Sequence, residues 1–253
     1  MSKLITRRQV VAGAGIGVAG LIGVAAMRGS LARPILQASE SLTLRTERIL
    51  LRRRPLVREF GVADISAMFP VNGTGKPSGA AYERFASTGF RDWALRIDGL
   101  VRRPVSLTLA QLAGFDARSQ ITMHNCDEGW NAIAQWKGVP LGSLLAIAEP
   151  STRAGYVVFH CLDKKEEDGE QYYESIDLFD AYHPQTILAY EMNGSPLPVQ
   201  YGAPLRLRIE TQIGYKNAKY VDRIEVVDRL DGLGKGRGGW WEDFDNAVWY
   251  AGQ

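Results

Sequence analysis

The chain has 253 residues, enough for one large domain or two small ones, and 45% of them are apolar, which permits a packed core and excludes wholesale disorder. Its net charge of +2 is unevenly placed: Lys3, Arg7, Arg8 and Arg28 fall before residue 33 with no acid beside them, and removing those four leaves −2 on the remainder. That balance gives a nucleic-acid partner no global electrostatic support.

Thr6-Arg7-Arg8-Gln9-Val10-Val11 is a twin-arginine pattern, followed by an apolar, glycine-rich stretch from Val10 to Met27 and the small residues Ser30-Leu31-Ala32. Residues 1–32 therefore read as a signal for export to the periplasm by the twin-arginine route. A permanent membrane anchor is the competing reading, since the stretch is long enough to span, but its glycines and alanines suit an export segment better. That route carries folded proteins, often with a cofactor already loaded, which raises the expectation of a redox cofactor without saying which. Residues 33–80 read as an extended arm made basic by Arg45, Arg48, Arg52, Arg53, Arg54 and Arg58. A solvated wrap over the domain is the default, and a docking face for an acidic redox partner or lipid headgroups is the sharper alternative. Gly73-Thr74-Gly75-Lys76-Pro77-Ser78-Gly79 is a loop without the spacing of a phosphate loop.

Regular pattern begins near Phe90. Trp93, Leu95 and Ile97 alternate with Arg96 and Asp98, the period of a strand. Thr108 is placed to cap a short helix through Leu112 that Gly114 ends. Gln120 to Met123 reads as a strand running into the Cys126 loop, and Lys137-Gly138-Val139-Pro140 as a turn. Leu141 to Ala148 is a helix opened by Pro140 and closed by Pro150. Tyr156 to Phe159 is a strand ending at His160-Cys161, Lys164 to Glu170 a charged loop, and Tyr172 to Ile176 another strand. Asp177 is a cap for a helix over Leu178–Tyr182. Asn193-Gly194 is a hairpin turn. Leu205, Leu207 and Ile209 alternate with Arg206 and Arg208, which by themselves read as an outward strand face. Val221, Ile224, Val226 and Val227 form a last strand with a register irregularity near Arg223. The tail from Gly232 to Tyr250 is rich in Gly and Trp and is expected to pack on the domain. Nothing suggests a repeat or a linker, so the expectation is one α+β, mixed domain.

The chemistry centres on Ile121-Thr122-Met123-His124-Asn125-Cys126-Asp127-Glu128-Gly129-Trp130. A thiol on a loop at a strand end is where a scaffold presents a reactive or metal-binding group, although a free cysteine is as often a small buried hydrophobe. Cys126 and Cys161 are the only cysteines, too few for a disulfide framework and without the spacing of a structural zinc site. His124 and His160 precede them closely, which leaves a weak Cys/His cluster open.

Taken together, Cys126-Asp127-Glu128-Gly129-Trp130, Trp136-Lys137-Gly138-Val139-Pro140-Leu141, Gly202-Ala203-Pro204-Leu205-Arg206-Leu207 and Gly214-Tyr215-Lys216 resemble the sulfite oxidase family of molybdopterin-binding oxidoreductases over residues 80–230. The branch they resemble most is that of the periplasmic methionine-sulfoxide reductase catalytic subunits. The resemblance implies that Cys126 is the thiolate on a mononuclear molybdenum–molybdopterin without added nucleotide. It also implies cofactor contacts at Tyr82, Glu83, Cys161, Tyr201, Arg206, Asn217, Ala218 and Lys219, with Arg206 and Lys219 on the pterin phosphate. Within it, a catalytic domain over residues 81–230 is expected, and 231–253 as its tail. Gly79, Cys161 and Tyr201 depart from that branch, which carries asparagine, threonine and asparagine there; two side-chain bonds to the pterin are therefore expected to be replaced or altered. No Cys126–Cys161 disulfide is expected, because metal would occupy Cys126.

True sulfite oxidases follow the ligand cysteine with a Gly-Asn-Arg type run. Here Asp127 and Glu128 follow, and two acids disfavour an anionic substrate. Reduction of a sulfoxide or N-oxide is preferred over sulfite-type oxidation; an exported, non-catalytic binding protein on the same fold is the reading from another class. With about 26 residues after Val227, neither an immunoglobulin-like dimerisation domain nor a haem domain is expected. A monomer follows, dependent on an external electron partner, either a membrane haem subunit or a soluble cytochrome. A cover over the site from Gly238-Gly239-Trp240-Trp241 is the last expectation.

Overall fold

The computed structural model describes residues 55–252 except 167, together with Leu42, Thr46 and Arg48. The twin-arginine segment and Arg45, Arg52, Arg53 and Arg54 lie outside the described residues. No helix among the described residues is long and apolar enough to cross a membrane.

Strand β1 (Ala94–Gly99) turns Leu95 and Ile97 inward to full burial, as its alternation requires. It pairs antiparallel with β2 (Val105–Thr108) and parallel with β10 (Val221–Val227). Beyond β10 come β5 (Tyr156–Lys164) and β6 (Gln171–Asp177), so the first sheet runs β2-β1-β10-β5-β6. The irregularity expected near Arg223 is a register shift between Val221 and Arg223 against β5. The second sheet joins β3 (Arg118–Asn125), β4 (Asn131–Pro140), β7 (Ile187–Met192) and β8 (Ser195–Pro196) in that order, and β9 (Arg206–Arg208) pairs with β7.

Lys137–Pro140 is not a turn. It is the second half of β4, paired with β7 through a register shift at Lys137/Gly138. The strands approach so closely that a Cβ on Gly138 would lie 2.0 Å from the Leu188 carbonyl oxygen; glycine there serves packing rather than bending. A second correction concerns β9. Leu205, Leu207 and Ile209 do point into the core, but Arg206 and Arg208 between them are equally buried rather than outward.

Helix α1 (Ala80–Ser87) precedes β1, and α2 (Leu109–Ala113) follows β2. Thr108 caps α2: its hydroxyl accepts from Gln111 N at 3.3 Å and its own N–H donates to Gln111 Oε1 at 2.9 Å. Helix α3 (Leu141–Ala148) starts after Pro140 as the sequence predicts. Helix α4 (Leu178–Ala181) is capped by Asp177, which accepts from Asp180 N at 2.9 Å. Asn193 and Gly194 take φ of 50° and 76°, the primed hairpin geometry. Helix α5 (Trp240–Asp245) belongs to the tail.

The larger apolar cluster joins Leu95, Ile97, Phe159 and Val226 of the first sheet to Leu141, Leu144 and Leu145 of α3 and to Leu207. A smaller one gathers Phe69, Ala132, Ala134, Trp136, Ile187 and Ala189 on the second sheet. The described part of the arm lies against the second sheet: Phe60 N donates to Ile121 O of β3 at 2.9 Å and Ser66 N to Ile133 O of β4 at 3.0 Å.

Candidate cofactor site

Cys126 leaves the end of β3 in a tight turn. Its N–H donates to Trp130 O at 2.9 Å, and Gly129, at φ 89°, donates to the Cys126 carbonyl at 3.1 Å. The turn at Gly214–Lys216 lies against this loop: a Cβ on Gly214 would stand 3.1 Å from Cys126 Cα and 3.2 Å from Asn125 O. A side chain there would force the cysteine loop to give by a few tenths of an ångström. The thiol is 9% exposed and its Sγ lies 3.7 Å from Asp127 Oδ1. Burial pushes it up to about 11, and the charges of Asp127 and Glu128 add to that effect. Such a thiol is no free nucleophile at neutral pH. It becomes a thiolate when a metal cation takes the place of its proton.

Behind the loop, Trp136 is fully buried against two guanidinium groups, with Arg206 Cζ 4.8 Å and Arg208 Cζ 4.6 Å from the centre of its ring. Arg208 is neutralised by a fork on Glu210, with Nε to Oε1 at 3.0 Å and Nη2 to Oε2 at 2.7 Å, and Gln120 Nε2 donates to the same carboxylate at 2.9 Å. Its Nη1 donates to His124 Nδ1 at 2.8 Å. Burial, then Arg208, holds His124 well below its ordinary range, so the ring is neutral and its proton sits on Nε2. Arg206 has carbonyl partners instead: Tyr201 O at 2.9 Å and Asn217 O at 3.2 Å. Burial, then Arg208, brings it down to about 9. Lys219 Nζ is likewise held by carbonyls, Asn72 O at 2.6 Å, Gln200 O at 3.1 Å and Thr74 O. Burial, then Arg206, lowers it to about 7.

A cavity opens beside this assembly, walled by Asp127 and Glu128 of the cysteine loop, by Asn217, Ala218 and Lys219, and by Asp163 of β5. Lys165 and Trp241 also line it, so the tail does reach the site. Lys165 Nζ rests on the Trp240, Trp241 and Tyr172 rings at 4.7, 5.1 and 5.5 Å.

The residues the sequence nominated are not all equivalent. Asn217, Ala218 and Lys219 line the cavity together with Asp127 and Glu128 of the Cys126 loop, while Cys126 and Arg206 are not among its lining residues; Arg206 bonds Asn217 O, and Gly202 is wedged between Lys219 Cβ and Arg206 Cβ at 3.0 and 3.1 Å from its own Cβ position. Asn217 uses its side chain to hold its own turn, accepting from Ile209 N at 3.0 Å and donating to Ile213 O at 3.1 Å. Tyr201 turns its hydroxyl to Phe69 O at 2.7 Å and offers Arg206 only its carbonyl. Tyr82 is buried, donates to Ala203 O at 2.9 Å and packs its ring on Tyr220. Glu83 is exposed on α1, and Cys161 is buried in the larger core cluster rather than lining the cavity. Both cysteines are free. Groups of three or more His, Cys, Asp or Glu fit to hold a metal do not occur among the described residues. Asp163, Lys165, Asn72 and Glu210 carried no sequence signal, because their neighbours come from distant segments; His124, open to a Cys/His cluster by spacing, bonds Arg208 instead.

The donor set fits an anionic group. Arg206 and Lys219 are buried cations without a carboxylate in hydrogen-bond reach among the described residues, and Arg206 Nε and His124 Nε2 are buried atoms without a partner there.

Comparison with known proteins agrees with that chemistry. The family model described as oxidoreductase molybdopterin binding domain matches residues 84–232. YedZ1 of Azospira oryzae, named as a candidate protein-methionine-sulfoxide reductase subunit, is 39% identical over 158 residues, 62% of this chain and 55% of that protein. The protein-methionine-sulfoxide reductase catalytic subunit MsrP of Xanthomonas campestris is 37% identical over 147 residues, 54% of this chain and 46% of that protein. The chain thus spans about half the length of the curated relatives it matches. Among solved structures, the sulfane dehydrogenase SoxCD of Paracoccus pantotrophus is similar in fold, with a TM-score of 0.50 and 22% identity over 59% of this chain and 45% of that one. This chain belongs to the oxidoreductase molybdopterin-binding domain family.

Proposed function

We propose that this chain is a molybdenum–pterin oxidoreductase that removes an oxygen atom from a neutral sulfoxide, such as a methionine sulfoxide, or an N-oxide, with Cys126 as the protein ligand to the metal. The observation that carries the reading is the Cys126 loop, braced by Gly214 and backed by two buried cations that have no carboxylate in hydrogen-bond reach among the described residues. The bound molybdenum–pterin supplies the two-electron oxygen-atom exchange that no side chain can perform. This chain's own residues hold and select. Cys126 would hold the metal through a soft, strongly donating sulfur. Arg206 and Lys219 would hold the phosphate of a pterin without added nucleotide, and each would regain charge stability as the anion docks. Asp127 and Glu128, exposed on the loop, repel sulfite and tolerate an uncharged S=O. Half-buried Trp130, packed on Phe69, offers an apolar wall.

The same reading places the protein in the periplasm after twin-arginine export, as a monomer supplied with electrons by a membrane haem subunit or a soluble cytochrome. Residues 81–230 form the catalytic domain in this proposal, and Glu83 and Cys161 support it from outside the cavity wall. Paired assays test the direction of reaction: reduced dye with methionine sulfoxide, and ferricyanide with sulfite. The expected result is turnover in the first alone; turnover in the second alone overturns the substrate assignment.

A further inference from the structure

A second cavity, of about 470 Å³, opens where the tail meets the first sheet. Tyr172 lines both it and the cofactor cavity, so the two share a wall. Its other aromatic walls are Tyr173 of β6 and Trp240 and Phe244 of α5. Three carboxylates line it, those of Asp168, Glu170 and Asp243, against one ammonium, that of Lys235. Asp243 is engaged within the fold, by the Tyr173 hydroxyl and by the N–H groups of Lys235 at 2.7 Å and Arg237 at 3.2 Å. Asp168 accepts from Trp240 Nε1 at 3.1 Å. Glu170 is exposed, and its carboxylate has no hydrogen-bond or ion-pair partner among the described residues. On the rim, Glu166 and Asp245 balance Lys164 and Arg237.

Carboxylates beside aromatic faces favour a cation. Two of these rings already hold one, since the Lys165 ammonium rests on Trp240 and Tyr172. An apolar patch adjoins the mouth, with Phe244 43% and Val248 55% exposed. An apolar centre with a charged rim is the anatomy of a protein–protein interface. Inward, Phe244 stacks on Trp240 at 4.6 Å, Trp240 meets Trp241 edge-on at 4.8 Å, and Trp241 walls the cofactor cavity. A membrane fits this face poorly, because carboxylates repel anionic headgroups. A soluble protein with cationic side chains around a redox centre fits it. We propose that this face docks a soluble, basic haem protein as the electron donor, with its lysine or arginine side chains on Asp168 and Glu170 and its haem edge at Phe244. The assignment rests on the molybdenum–pterin reading above. Each docking passes one electron from ferrous haem, which becomes ferric. Two such events, with two protons from water, match the conversion of one sulfoxide to a sulfide and water.

The test uses full-length, cofactor-loaded protein as wild type, Glu170→Lys and Asp92→Lys. Asp92 is an exposed acid ahead of β1, which β10 and β5 separate from β6, and it controls for net charge. A basic mitochondrial cytochrome c is the probe and an acidic cytochrome the control, in calorimetric titrations at low salt. Molybdenum content and melting temperature are measured on the same samples. Wild type is expected to bind the basic probe and not the acidic one. Glu170→Lys should weaken that binding about tenfold or more, and Asp92→Lys less than about threefold. Sulfoxide turnover driven by the reduced probe should fall with the affinity, while turnover driven by dithionite, which needs no docking, stays at the wild-type level. Equal weakening by the two variants, undiminished binding in Glu170→Lys, or wild-type binding to phosphatidylglycerol vesicles in preference to the probe overturns the proposal. Should Glu170→Lys melt early, Phe244→Ala decides: weakened binding supports the proposal and undiminished binding overturns it. A wild type without molybdenum is a separate result, which overturns the cofactor reading; a wild type that holds molybdenum but does not bind the probe overturns this assignment alone.

Discussion

Trp136 has two guanidinium groups against its ring, and among the described residues only Arg208 of the two has a carboxylate to answer it. Arg208 and Glu210 are 1% and 0% exposed at their side chains, so each is a buried charge that depends on the other. Arg208→Met is predicted to strand Glu210 and cost about 3–5 kcal/mol, measured by denaturant unfolding of the cofactor-free protein; a cost under about 1 kcal/mol contradicts the fork's importance. Lys219 makes a prediction about pH. Folded, cofactor-free protein releases its proton near 7, while the unfolded chain keeps it to 10.5, so the unfolded state binds more protons between those limits. Stability should therefore rise with pH from 7 to 9, below the point where Arg206, at about 9, contributes the same sign. Melting temperatures across that window check this, and Lys219→Met should flatten the slope. A slope of opposite sign, or one that survives the substitution, refutes it.

At the level of elements, the site depends on how the Gly214 turn meets the cysteine loop. Gly214→Ala places a methyl 3.1 Å from Cys126 Cα, so the cysteine loop must give by a few tenths of an ångström to admit it. The fold should survive with a loss of about 1–3 kcal/mol, and the variant should retain less molybdenum than wild type; equal metal content would show that the two turns are not coupled. The elements that local chemistry governs were legible from sequence. Thr108 with Gln111, and Asp177 with Asp180, mark helix starts through bonds spanning three residues, and Pro140 marks one through its fixed φ of −55°. Strands β4 and β7 were not legible. The inward residues of β4 include only Ala132 and Ala134 before Trp136, a weak apolar signal, and β7 is buried on both faces for most of its length, which erases alternation. The site divides in the same way. Cys126, Arg206 and Lys219 stood out through ordered motifs, whereas Asp163 looks like any charged residue until β5 brings it to Lys219. The Gly73–Gly79 loop lacked phosphate-loop spacing, and its neighbourhood holds a cation instead: Thr74 and Asn72 turn carbonyls to the Lys219 ammonium.

Across the whole molecule, the tail is fastened by charge as well as by aromatic packing. Lys216, one residue from the cavity-lining Asn217, bonds Glu174 of β6 at 2.5 Å and Glu242 of α5 at 2.7 Å, and all three side chains are essentially inaccessible. Burial and the neighbouring Glu242 hold the Glu174 carboxyl well above the usual range, against the pull of the Lys216 ammonium. Ile213 N bonds Ala251 O at 3.0 Å and Tyr215 Oη bonds Val248 O, which carries the tail back over the Gly214 turn. Lys216→Met should leave two buried carboxyls without their cation and loosen the tail first. Limited proteolysis should then cut within 232–252 before the rest of the chain, and a pattern identical to wild type would contradict the latch. Because Trp241 walls the cavity, loosening should also increase cofactor loss on dilution.

The central claim is that one sulfur of this chain sits on the metal. X-ray absorption at the molybdenum edge, on cofactor-loaded wild type and Cys126→Ser, tests it most directly. The account predicts one sulfur neighbour fewer around molybdenum in the variant, together with loss of sulfoxide reduction. An unchanged sulfur shell with turnover intact would contradict it.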